Sequence, residues 1–106
     1  MTTPLAPADS PPAPHRLRLR LYVAGQSAHS RLAVTRLHAL LAEYPYCSAD
    51  TEIFDVLEDP HRAFEAGVFL TPMLVRLEPL PECSLFGNLS DRDALVRMLL
   101  LGPPPP

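Results

Sequence analysis

The chain has 106 residues, a net charge of −3 and a hydrophobic content of 47%. This length suits one domain and is too short for two. The slightly acidic balance gives no general attraction to nucleic acid or to an anionic lipid surface, and no apolar run is long enough to cross a bilayer.

The sequence begins and ends with proline-rich segments. Residues 1–15 hold five prolines and no regular apolar pattern, so they cannot bury enough apolar surface to offset the entropy of ordering, and we predict a disordered tail. Residues 103–106 are all proline and predict an extended polyproline tail. The folded domain is therefore expected to cover residues 16–102. The first segment also lacks the basic start and apolar run of a signal peptide, which indicates a cytoplasmic protein.

The first predicted elements are a strand, a short loop and an amphipathic helix. The segment RLRLRLYV, residues 16–23, alternates arginine and leucine at its start, which predicts a strand with one buried face. Gly25 ends this strand. A helix with an apolar stripe follows from Ser30 and ends before Pro45, which cannot continue it. Ser27 or Ser30 is expected to cap its start.

The next elements are a strand, a short helix and two further strands. The segment TEIFDVL, residues 51–57, is rich in β-branched and aromatic residues and predicts a strand. Asp59 and Pro60 then supply an N-cap and a first-turn proline for a short helix that runs to about Ala66 and is capped by Gly67. The segments TPMLVRL and CSLFG predict a third and a fourth strand, joined as an antiparallel hairpin.

A last helix completes a recognisable order of elements. Ser90 and Asp93 form a capping-box pattern ahead of an apolar run that reaches Leu101. The order is β-α-β-α-β-β-α, and the strand-helix-strand start implies a right-handed parallel crossover. We therefore predict an α/β thioredoxin-like sandwich. In that fold a cis-proline faces the loop before the first helix, and Pro72 occupies this place in the sequence; an ordinary trans turn stays open as the alternative.

The loop after the first strand lacks the groups that catalysis on this scaffold would need. It holds no thiol, so dithiol exchange is excluded there, and one glycine does not make a phosphate cradle. Ser27, His29 and Ser30 are near neighbours in sequence without a third group to orient a base. A structural helix entry or a contact surface is the favoured interpretation, and the sequence predicts no catalytic residue and no cofactor.

The metal-ligating residue types are scattered. Cys47 and Cys83 are 36 positions apart and match no zinc or CxxC spacing. The four histidines show no i, i+4 pair, so no metal site is predicted. Both cysteines are expected to be reduced thiols, as is usual in the cytosol.

Four blocks of the sequence together resemble the KaiB family of circadian-clock proteins. They read LRLYVAGQSAHS, IFDVLEDP, LTPMLVR and LFGNLSDRD. Typical members read LYVAG-x-(S/T)-x-x-S, IDVL-x-x-P, TPTL and GDLS-x-R-(E/D) at the same spacings. The match spans about residues 17–101. Each block alone is a weak signal, and all four in register make a strong one.

The resemblance implies a protein without enzymatic activity. KaiB proteins bind the KaiC ATPase and alter a phosphorylation clock. They switch between a tetrameric ground-state fold and a monomeric thioredoxin-like fold that binds KaiC, so a homo-oligomer, tetramer or dimer, is implied for the alternative state. The thioredoxin-like state also resembles the sensory domain of the histidine kinase SasA.

The partner surface implied by the resemblance includes the helix-entry loop, the second strand and the basic residue after the TP motif. The residues expected to contact a partner are Gln26, Ser27, Ser30, Glu52, Glu58 and Arg76. Members often carry lysine where this chain has Glu52 and Glu58, so a basic surface is partly inverted to acidic. A divergent sensor or adaptor domain that binds a different signalling partner therefore stays open as the alternative, and so does an enzyme that works without thiols.

A second set of residues is expected to support the fold and any switch of fold. They are Gly25, Pro72, Gly87, Asn88 and Ser90. The helix signals after Asn88 favour the thioredoxin-like state, because a cap contributes about 1 kcal/mol and two interconverting states differ by only a few kcal/mol. The apolar run MLLL points the other way, since a strand or an oligomer could also bury it.

Overall fold

The computed structural model of the chain describes residues 15–45 and 47–100. The predicted tails at 1–14 and 103–106 lie outside the described residues, as do residues 46, 101 and 102 of the predicted domain. His15, which the prediction assigns to the tail, is the first residue of a strand.

The elements follow the predicted order. They are β1 (His15–Val23), α1 (Ala28–Ala42), β2 (Cys47–Asp55), α2 (Pro60–Glu65), β3 (Met73–Glu78), β4 (Cys83–Phe86) and α3 (Arg92–Met98).

One four-stranded sheet has the strand order β2-β1-β3-β4. β1 pairs with β2 in parallel, as a connection through α1 requires, and with β3 in antiparallel orientation. β3 and β4 form the predicted antiparallel hairpin, in which Met73 lies opposite Phe86. The ends of β1, β2 and β4 and the start of β3 therefore lie at the same end of the sheet, measured along the strands.

The main core lies between the sheet and the two helices α1 and α3. The alternation in β1 places its leucines and Val23 on this face, where each is at most 5% exposed. The core also contains these buried residues: Ala33, Leu37, Leu40, Tyr44, Leu74, Leu89, Leu95, Met98 and Leu99. At 25 cal/mol per Å², each fully buried leucine contributes about 2 kcal/mol, so this face accounts for most of the packing energy.

The opposite face of the sheet is covered over half of its length by α2. Ala63 and Val68 pack there against Tyr22, Met73 and Val75. The other half carries the arginines of β1, of which Arg18 and Arg20 pair with Glu78 and Glu52. This half explains why the β1 sequence alternates leucine with arginine.

Helix starts follow the capping rules, with one correction. Ser27 caps α1, and Asp59 caps α2 with Pro60 in the first turn. The predicted capping box of Ser90 and Asp93 is wrong, because the Asp91 carboxylate accepts from Ala94 N at 3.0 Å and caps α3. Leu89, just before this cap, is buried with a φ of 62°, and the helix begins one residue later than predicted.

The largest differences from the predicted element boundaries are at the start of β2 and at the end of α3. β2 begins at Cys47 rather than at residue 51, because the parallel pairing extends down to His15 opposite Cys47 and recruits a segment without strand-like composition. α3 ends at Met98 rather than Leu101, since Leu99 is the C-cap and Leu100 adopts a φ of 59°.

Candidate protein-binding surface

Four loops lie at the end of the sheet where β1 and β2 end. They are residues 24–27 after β1, 56–59 after β2, 66–72 before β3 and 87–91 after β4. We call this set of loops the loop end. In mixed sheets, loops at the carboxyl ends of neighbouring parallel strands are the usual place for a binding site.

Asp55 joins the first two loops of the loop end. Its Oδ1 accepts from Gly25 N at 3.0 Å and from Leu57 N at 2.9 Å. Gly25 has a φ of 55°, and a Cβ there would lie 3.1 Å from Leu57 Cδ1, so a glycine suits both the backbone conformation and the contact. The carboxylate thus holds the loop after β1 against the loop after β2.

Ser30 is part of the support for the loop end rather than of its surface. It is 1% exposed, and its Oγ accepts from Ala24 N at 3.0 Å. Its own amide donates to the capping Ser27 Oγ at 3.3 Å. In this fold the hydroxyl is enclosed and already hydrogen-bonded, so the expected partner contact of Ser30 stays a prediction without an exposed group to make it.

The remaining two loops are joined to each other and to α1. The Thr71–Pro72 bond is cis, and Pro72 O accepts from Gly87 N at 2.9 Å. The Asn88 side-chain amide lies 3.2 Å from His29 Nδ1, and Asn88 O accepts from Arg36 Nη1 at 3.1 Å. Pro72, Gly87 and Asn88 therefore brace the loop end, whereas the exposed Ser90 makes none of these contacts.

Arg76 lies away from the loop end and is buried. The whole residue is 5% exposed. Its guanidinium donates to Pro79 O at 3.0 Å, Pro81 O at 2.7 Å and Met98 O at 2.6 Å. These bonds tie the β3–β4 turn to the end of α3 and leave the side chain little exposed surface, so the expected partner contact of Arg76 stays a prediction.

The other predicted contact residues are on the surface. Gln26, Ser27 and Glu58 are exposed within the loop end. Glu52 lies further back on the α2 face of β2, where its Oε1 accepts from Arg20 Nε at 2.7 Å. Hydrogen bonds with Tyr22 and then with Glu52 raise the pKa of Arg20, so this cation is permanent and partly offsets the charge of Glu52.

Sequence reasoning missed an exposed apolar group beside these residues. Leu57, Phe64, Phe69 and Leu70 are each more than 60% exposed. The signal was present in the segment GVFLTP, because two large apolar residues stand between a helix-ending glycine and a proline-containing turn, where polar residues are usual. Exposed clusters of this kind mark interaction surfaces.

The two cysteines do not form a redox pair. Cys47 and Cys83 are free and lie on the two outer strands. Three strand spacings of about 4.8 Å alone separate them by at least about 14 Å, well beyond the reach of a disulfide. Burial raises the pKa of the Cys47 thiol, which lowers its reactivity.

We expect no disulfide-reductase activity from this arrangement. An insulin-reduction assay with dithiothreitol should give the rate of the blank without protein. Cys47→Ser and Cys83→Ser serve as controls, because a rate above the blank that either substitution removes would contradict the expectation.

Among residues 15–45 and 47–100, no group of three or more histidine, cysteine, aspartate or glutamate side chains could hold a metal ion. In the same part of the chain, no helix is long and apolar enough to cross a membrane.

Comparisons with known proteins agree with the geometry. A family model described as KaiB domain matches residues 20–101. The circadian clock protein KaiB3 of Synechocystis is 33% identical over 82 residues, which cover 77% of this chain and 80% of that protein. The circadian clock oscillator protein KaiB of Synechococcus elongatus is 37% identical over 79 residues, covering 74% and 76%.

Solved structures confirm the predicted thioredoxin-like fold. The N-terminal domain of Synechococcus elongatus SasA superposes with a TM-score of 0.64 at 25% identity, covering 92% of each chain. Oxidized mitochondrial thioredoxin 3 from Saccharomyces cerevisiae has a TM-score of 0.64 at 20% identity over 81% of this chain and 78% of its own. At 20% identity, the similarity to thioredoxin 3 supports the fold alone.

Proposed function

Because the chain belongs to the KaiB family, we propose that it is a non-enzymatic regulatory protein that binds a KaiC-like ATPase through its loop end. In this role it modulates a circadian, timing or stress-related phosphorylation system in the cytoplasm. The binding unit is the domain of residues 16–102 in its thioredoxin-like state, and a tetramer or dimer belongs to the alternative ground-state fold.

One observation carries this proposal. The four loops are braced in two pairs, one by the Asp55 carboxylate and one by the Pro72–Gly87 contact, and they present exposed apolar and acidic groups instead of a thiol pair. A scaffold that holds its loops without reactive groups is suited to binding a protein rather than to transforming a small molecule.

The alternative function is a sensor or adaptor domain that binds another signalling partner. The likeness to the SasA N-terminal domain over 92% of both chains supports it. The two functions differ in the partner and share the surface.

Affinity capture distinguishes the two functions. The full chain is immobilised and exposed to an extract of the organism that encodes it, and bound proteins are identified by mass spectrometry. Enrichment of an ATPase with a KaiC domain supports the proposal. Enrichment of a signalling protein without that domain, with no such ATPase present, supports the alternative.

The acidic residues of the surface lead to a prediction about a cyanobacterial KaiC. Glu52 and Glu58 stand where the family resemblance implies lysine, and like charges facing each other across an interface cost several kcal/mol. We therefore expect the unaltered chain to bind a cyanobacterial KaiC weakly and the Glu52→Lys/Glu58→Lys variant to bind it at least about tenfold more tightly in a pull-down titration.

Glu82→Lys is the matched control for this change. Glu82 is exposed in the turn between β3 and β4, at the opposite end of the sheet, so its reversal should leave the affinity unchanged. Tight binding by the unaltered chain, with no gain in the double variant, would contradict the charge argument.

A further inference from the structure

We infer that Phe64 and Phe69 form the main apolar contact site of the loop end, which we call the anchor. They bind an apolar side chain of the partner, and this side chain has lysine or arginine as its neighbours in the partner's sequence. This inference rests on the proposed function and names the part of the surface that contributes most to affinity, together with the chemistry of the segment that it binds.

The two phenyl rings form a ready-made contact site. Their centroids are 5.7 Å apart at an interplanar angle of 84°, an edge-to-face arrangement. Phe64 is 65% exposed and Phe69 is 74% exposed, so each ring keeps most of its surface free. Leu70, beside Phe69 in the chain, extends the apolar surface.

The rings are held by a rigid turn. Ala63 and Val68 are buried against the sheet, and Val68 N donates to Ala63 O at 3.0 Å. Gly67 N donates to Phe64 O, also at 3.0 Å. Because the backbone is fixed on both sides, binding orders little beyond the rings themselves. Rigid aromatic side chains of this kind dominate the energetics of many protein interfaces.

The charges around the rings are acidic. Glu58, Asp59 and Glu65 are exposed in this segment. The one arginine of α2, Arg62, has its guanidinium 5.4 Å from the centroid of the Phe54 ring, and its single positive charge leaves the three carboxylates in excess. His61 Nε2 lies 3.4 Å from Glu65 Oε2 and neutralises that carboxylate only when it is protonated. An acidic rim around an apolar centre is complementary to an apolar side chain with basic neighbours.

The anchor is tested with three variants and the KaiC-like ATPase recovered by the capture experiment. The first variant is Phe64→Ser/Phe69→Ser. The second is Glu65→Lys, which keeps both rings. The matched control is Leu80→Ser, because Leu80 is 75% exposed but lies in the turn at the opposite end of the sheet. Affinity is measured by surface plasmon resonance at 0.1 M and 0.5 M salt.

We expect the double phenylalanine variant to bind at least about tenfold more weakly and the leucine control to stay within about twofold of the unaltered chain. Glu65→Lys should bind several-fold more weakly at 0.1 M salt, with a smaller difference at 0.5 M, because salt screens exposed charges. A circular-dichroism melt of each variant shows whether it is folded.

The outcomes separate this inference from the proposed function. If the unaltered chain binds the ATPase and the double phenylalanine variant binds equally well, the anchor is wrong and the proposed function stands. If Glu65→Lys binds more tightly, the basic character of the partner segment is wrong. If the unaltered chain binds no KaiC-like ATPase, the proposed function itself is contradicted, and the inference falls with it.

Discussion

Replacing Arg76 with methionine is expected to lower the free energy of unfolding by about 3 kcal/mol or more, the largest effect of any single polar substitution proposed for this chain. Methionine retains the apolar stem and removes three charge-assisted bonds, to Pro79 O, Pro81 O and Met98 O. Each such bond contributes about 1.5–3 kcal/mol, and loss of the buried bond to Met98 O also leaves that carbonyl without this donor.

Urea unfolding of Arg76→Met and of the control Arg97→Met measures this effect. Arg97 is exposed on α3, and its replacement should change the stability by no more than about 0.5 kcal/mol. The amides of residues 95–99 should also exchange faster in Arg76→Met, because the bond to Met98 O holds the end of α3. Equal midpoints for the unaltered chain and Arg76→Met would show that the three bonds contribute nothing net.

Asp55→Ala is expected to lower the free energy of unfolding by about 2–3 kcal/mol and to weaken partner binding as well. The single oxygen Oδ1 accepts from Gly25 N and Leu57 N, and hydrogen bonds to a charged acceptor contribute about 1.5–3 kcal/mol each, less where they are exposed. Without the carboxylate, the loop after β1 is no longer tied to the loop after β2.

Asp55→Asn is the matched control, because the amide oxygen can occupy the position of Oδ1 and accept both bonds. We expect it to lose about 1 kcal/mol and to keep most of the binding, since a neutral acceptor makes weaker bonds than a charged one. Thermal melts and a titration with the ATPase measure both properties. If the alanine and asparagine variants behave alike, the brace does not depend on these two bonds.

The sequence alone predicts the fold well because its signals are local. The alternation in β1, the Asp59–Pro60 start of α2 and the helix-ending Gly67 each specify an element within a few residues. The four family blocks add the topology. Boundaries that depend on pairing between distant segments are predicted less well, and the start of β2 at Cys47 is the clearest case, because its partner His15 lies 32 positions earlier.

The surface is harder to predict because the type of a residue does not reveal its exposure. Ser30 and Arg76 are polar and were expected to contact a partner, yet each is buried and satisfied by backbone groups. Phe64 and Phe69 are apolar, yet they are exposed. Whether α2 turns its alanine or its phenylalanine to the sheet depends on the space above Tyr22 and Met73, which only the folded chain defines.

Hydrogen–deuterium exchange of the full chain with and without the KaiC-like ATPase tests the central claim most directly. We predict slower exchange on binding in three loops of the loop end, residues 24–27, 56–59 and 66–72, and unchanged exchange in the turn between β3 and β4. Unchanged exchange in all three loop segments at saturating ATPase, or protection confined to the β3–β4 turn, would contradict binding through the loop end.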